Sequence, residues 1–187
     1  MNLTLAHALA QLASLLVCVV LVAWYVAPWA RLRDRADVLV PLLWVHVFRY
    51  VALQLFSAQQ AGFPISDSGR DQIVYGDLAA AALAAVALVA LRHRTRFAVP
   101  LAWLLVVETG VDFVRNVRNI GMREHLIPAE SGVEWLITTF YVPLVLVSTG
   151  VMVWQLYTRR GEPLTVHADA GGAIGRTTLE SATRPAA

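Results

Sequence analysis

Apolar residues dominate this chain in five long blocks, approximately Leu3–Trp29, Val38–Ser57, Ile73–Leu91, Phe97–Asn116 and Val133–Tyr157. Each is close to the roughly 20 residues that an α-helix needs to cross a ~30 Å hydrocarbon core. The pattern predicts an all-α fold: an integral membrane helical bundle of about five transmembrane helices filling residues 1–160. Polar connections fall at Arg31–Asp37, Ala58–Gln72, Arg92–Arg96 and Val117–Gly132. Residues 161–187 are rich in Gly, Ala, Thr and Pro, and a disordered cytoplasmic tail is expected there. The tail's GGAIGRTT is not read as a phosphate loop, because no strand precedes it and no lysine follows.

Polar positions inside the blocks form stripes. In the fourth block Glu108, Asp112, Arg115, Asn116 and Asn119 share one helix face, spanning roughly a quarter of the circumference at about 100° per residue. The second block places His46, Arg49, Tyr50, Gln54 and Ser57 together. The first carries His7, Gln11, Ser14 and Cys18, and the fifth Glu134, Thr138, Tyr141 and Ser148, with Pro143 as an expected kink. The third offers Tyr75 and Asp77 near one end, then an alanine tract from Ala79 whose small side chains permit close helix approach.

Composition strengthens the membrane reading. Hydrophobic residues make up 58% of the 187 and mean hydropathy is +0.60, above the roughly 45–50% of a soluble domain. All fifteen cationic residues are Arg, a coding bias that points to a GC-rich, bacterial source and hence an inner-membrane location. The net charge of +2 does not imply nucleic acid, because the arginines are dispersed among the loops flanking the blocks. The one cysteine, Cys18, excludes an internal disulfide and a Cys-rich metal cage, and no metal or cofactor is expected. The first block is too long for a signal peptide and lacks a basic region before it, so it is expected to remain in the mature chain.

Arginine placement gives an orientation. Arg31, Arg33, Arg35, Arg92, Arg94, Arg96, Arg159 and Arg160 fall on one side, against Arg70, Arg118 and Arg123 on the other. Eight against three puts the N-terminus outside and the C-terminus in the cytoplasm. Trp24, Trp29, Trp154 and Tyr157 would then lie toward the cytoplasmic interface. The fourth block is the weak point. A charge at the centre of a span costs about 2.5–3.5 kcal/mol, against about 0.3–0.6 returned by each Val or Leu. It is expected to insert with partners or to be re-entrant.

Ionisable groups at membrane depth mark functional sites by default. The candidates for ligand or proton binding are His46, Arg49, Tyr50, Gln54, Asp77, Glu108, Asp112, Arg115 and Asn116, at similar depths in one polar interior. Arg49 and Arg115 are expected to neutralise two of the three carboxylates, leaving one for proton handling. The same charges also suit a purely structural ion-pair network.

Arg49, the Gly62-x-Pro64 turn and Gly76-Asp77 carry a resemblance to small uncharacterised bacterial multi-pass membrane proteins with an Arg…G-x-P…GD pattern. It covers about a third of the chain, and Ala52 stands where that pattern usually has glycine. The resemblance implies a multi-pass protein in which Arg49 and Asp77 pair, and it implies no activity.

Three roles follow. The first is a buried cavity that binds or passes a small polar ligand or protons, in a homo-oligomer or a membrane complex. The second is a membrane enzyme acting on a lipid or isoprenoid, with Glu108 or Asp112 as acid/base and His46 and Tyr50 assisting. It ranks lower, because the chain has no nucleophile constellation, metal box or phosphate cradle. The third is an accessory or scaffold subunit whose charges only lock helix packing.

Overall fold

The computed structural model describes residues 2–119 and 132–162, and their regular structure is all helical. Five long helices are present among these residues: α1 (Leu3–Arg31), α2 (Arg35–Gln60), α3 (Asp67–Arg92), α4 (Ala98–Asn116) and α5 (Gly132–Thr158). Four of them, α1, α2, α3 and α5, are long and apolar enough to cross a membrane. The fourth in order, α4, is 19 residues long and carries Glu108, Asp112 and Arg115. Most of the expected connection at 117–132, with Arg123, and nearly all of the expected disordered tail lie outside the described residues.

Local chemistry sets the helix ends. Asn2 Oδ1 accepts from the Thr4 N–H at 3.1 Å, and Ser66 Oγ from the Gly69 N–H at 2.9 Å, each satisfying an orphan donor of a first turn. Gly62 adopts φ +102° just past α2, a conformation that costs glycine nothing and turns the chain toward Pro64.

Two helices widen into a π turn, Val22–Val26 in α1 and Ile137–Tyr141 in α5. Both turns lie just before a proline, Pro28 and Pro143 respectively. Proline has no N–H for the carbonyl four residues back. In each case the residue before it reaches five back instead, Ala27 to the Val22 carbonyl and Val142 to the Ile137 carbonyl. The kink expected at Pro143 therefore takes the form of a π turn.

The bundle interior has two zones. At the arginine-rich end Ala30, Ala36, Leu39, Leu43, Ala84, Leu91, Ala98, Leu105, Met152 and Leu156 form one apolar cluster. Alanines on α3 bring α2 and α4 close to its two sides, as the small-residue tract implies. Toward the far end the same helices exchange apolar residues for charged and polar ones. Helix α4 runs from Ala98 in the apolar cluster to Asn116, which bonds Gln72 of α3, and so traverses the bundle beside α3. Helix α1 is peripheral and packs chiefly on α5: only 11% of its apolar stretch is buried, against 33–39% in the other three.

Candidate functional site

The polar zone is organised by Arg49. Its stretch of α2, Phe48–Leu53, winds as a 3-10 helix, a feature that inside a longer helix often marks a functional or strained segment. Arg49 is 4% exposed, yet every arm of its guanidinium is engaged. Nε donates to Asp77 Oδ1 of α3 at 2.6 Å, and Nη2 to Asp112 Oδ2 of α4 at 2.6 Å. Nη1 donates to Thr109 Oγ1 at 3.0 Å and, more distantly, to Glu108 Oε2 at 3.4 Å. One cation thus joins three helices, and three carboxylates meet a single guanidinium.

Backbone proximity makes this possible. A Cβ on Gly76 would overlap Asp112 Oδ1, so the glycine next to Asp77 is the position at which α4 can bring its carboxylate to Arg49. One layer further out, the Gln72 amide donates to Asn116 Oδ1 and accepts from Asn119 Nδ2, both at 2.8 Å. These bonds fix the register of α3 against α4.

A cavity of about 250 Å³ opens above this floor. Arg49, Asp77, Thr109, Asp112, Gln54 and Tyr141 supply its polar groups, with Asn116, Glu134, Gln11 and Thr138 on the walls. Val51, Leu55, Ile73, Phe113, Ile137 and Val142 are among its apolar lining, and Phe63 and Ile65 of the α2–α3 connection close one side. That connection is held in place by Gln59, whose Nε2 donates to the Ile65 carbonyl at 2.9 Å, and by Arg70, which bonds Gln59 Oε1 and Asp71. The α5 wall includes the π turn: Tyr141 donates its hydroxyl to the Val45 carbonyl at 2.7 Å, and Thr138 meets His7 Nε2 at 3.0 Å. Gln54 Nε2 is buried and has no hydrogen-bond partner among the described residues.

The candidate residues named from sequence do not all meet. Arg49, Asp77, Glu108 and Asp112 form one cluster, and Gln54 and Asn116 line the cavity above it. His46 is fully buried but faces α5 instead, with Nε2 at 3.2 Å from Ser148 Oγ and 3.4 Å from Thr149 Oγ1. Tyr50 points outward, 48% exposed against Phe48. Tyr50 follows Arg49 directly, and adjacent residues on a helix point about 100–120° apart, so with Arg49 turned inward Tyr50 lies off the buried face. Arg115 is exposed, and all three carboxylates pair with Arg49 instead of being shared with it.

Thr109 and Gln72 were absent from the sequence-level stripes. The buried seam of α4 runs Ala98, Ala102, Leu105, Thr109, Asp112, a spacing of 4, 3, 4 and 3 that includes Thr109 and leaves Glu108 and Arg115 at its edge. That spacing was the signal available for Thr109. Among the described residues no group of His, Cys, Asp and Glu is arranged to hold a metal ion.

The family described as a domain of unknown function, DUF8737, matches residues 6–157, which takes in all five helices. No curated protein and no solved structure matches the chain.

Proposed function

Because this chain belongs to the DUF8737 family, whose description names no activity, we propose its role from the site itself: a small multi-pass protein of a bacterial inner membrane that binds or passes a small polar ligand or protons in its buried cavity. The observation that carries the reading is Arg49, held by three carboxylates at the floor of a cavity of about 250 Å³. A charge network meant only to lock helices has no use for an open volume beside it, whereas a binding site needs one.

The orientation that goes with this reading has the N-terminus outside and the C-terminus in the cytoplasm, supported by the eight-to-three arginine bias. The cavity then lies in the outer half of the membrane, and the apolar cluster separates it from the cytoplasmic side. An enzyme reading is weaker. His46 lies apart from the carboxylates and Tyr50 faces outward, so the groups assigned to assist Glu108 or Asp112 are not beside them.

The test is proton flux in proteoliposomes, together with thermal stabilisation by candidate solutes, for the full chain and for Arg49→Gln and Asp112→Asn. Loss of flux or of ligand-dependent stabilisation in variants that still fold is the expected result. Unchanged flux and unchanged stabilisation in both would leave the cluster a structural staple.

A further inference from the structure

Charge around the cavity is out of balance in one direction. Among the described residues that line it, Arg49 is the sole cation, facing Asp77, Asp112 and Glu134. Glu108 adds a further carboxylate at 3.4 Å from the same guanidinium. Asp77, Glu108 and Asp112 have side chains only 22%, 23% and 10% exposed. Uncompensated negative charge at such burial is costly, and it is met by protons or by a cation.

The remaining observations bear on which cation. Arg49 stands between the carboxylates, and no metal-ligating group is found among the described residues, so a compact inorganic ion lacks a cage. The walls beyond the charged floor are apolar, with Ile73, Phe113, Ile137 and Val142 among them. Such a surface suits an organic body, which a bare ion does not offer.

We propose that the cavity takes an organic ammonium ion carried on a small apolar body, its charge among Asp77, Asp112 and Glu134 and its body against the apolar walls. This rests on the reading of the cavity as a ligand site and names the class of ligand.

The experiment is calorimetric titration of the full chain in lipid nanodiscs, with empty nanodiscs as the control for partitioning. The probes are phenethylammonium, the neutral phenethyl alcohol and the anionic phenylpropionate, three molecules of similar shape and different charge. Saturable binding of phenethylammonium, roughly tenfold or more tighter than the alcohol, is expected, with none for phenylpropionate. Asp112→Asn and Glu134→Gln should each weaken it roughly tenfold. Glu134 makes none of the Arg49 contacts, so its variant reads the site even where Asp112→Asn disturbs packing.

Equal or tighter binding of the alcohol or of phenylpropionate, lost in Arg49→Gln, overturns the cation class and leaves the ligand site standing. Failure of all three probes to saturate also overturns it. Proton flux in the Arg49→Gln variant then decides the broader reading separately.

Discussion

At the scale of single residues, Arg49 illustrates why charge alone does not describe the site. Its five N–H donors, spread over a rigid plane, reach Asp77, Glu108, Thr109 and Asp112 at once, four acceptors against the three donors of an ammonium. Arg49→Lys keeps the charge and leaves buried carboxylates short of donors. It should lower stability by about 1–3 kcal/mol, the cost of leaving a buried acceptor without its donor, and thermal unfolding in detergent measures it. Gly76→Ala tests the site from the opposite side. The new methyl overlaps Asp112 Oδ1, a side-chain atom held on Arg49, so Asp112 must turn off Arg49 or α4 must give way, costing about 1–3 kcal/mol. A Gly76→Ala protein as stable as the parent would show that the close approach of α3 to α4 is not required. The charged members of this cluster were legible in the chain, because carboxylates and arginine inside apolar blocks are conspicuous. Thr109 and Gln72 were not, since an isolated hydroxyl or amide carries no sign of its partner until another helix is set beside it.

At the scale of elements, the five apolar blocks correspond to the five helices; α2 and α3 extend furthest into their polar flanks, while α4 keeps to its block. Hydropathy registers the solvent-shunning part of a helix and misses its capped and charged ends. What hydropathy does not carry is winding. The stretch Phe48–Leu53 winds as a 3-10 helix, and the π turn Ile137–Tyr141 lies where Thr138 and Tyr141 line the cavity. Pro143 was a visible cue to the second of these. Pro143→Ala restores an N–H that can bond the Thr139 carbonyl and lets α5 revert to regular winding. The α5 residues before it then rotate relative to those after it, and the His7–Thr138 contact at 3.0 Å should open. A double-mutant cycle of His7→Ala and Thr138→Ala, read by thermal unfolding, reports this: a coupling of about 0.5–3 kcal/mol in the parent background and its loss with Pro143→Ala are expected. Unchanged coupling would mean that packing against α1, and not the proline, holds the π turn.

At the scale of the whole molecule, the polarity of the interior and the arginine bias point the same way along the bundle axis. The charged helix α4 is tolerable because Arg49 of α2 supplies its counter-charge, so α4 depends on its neighbours for a place in the bundle. The orientation signal, however, is smaller than the count of eight suggests. Arg35 is 3% exposed and donates to the Leu156 carbonyl at 3.2 Å, while Arg159 donates to the Ala30 carbonyl at 3.2 Å and pairs with Glu162. Both tie α5 to the turn between α1 and α2, a structural duty separate from orientation. The two groups of arginines should therefore behave differently. A reporter fused after Arg160 is expected to read cytoplasmic in the parent chain and in Arg35→Gln, which loses stability without turning over. Replacing Arg31, Arg33, Arg92 and Arg96 with Gln removes charge from the exposed loops and should give a mixed population with part of the reporter outside. An extracellular reporter in the parent would remove α4, or another helix, from the set of spans. Mixed orientation in Arg35→Gln alone would return that residue to the orienting group.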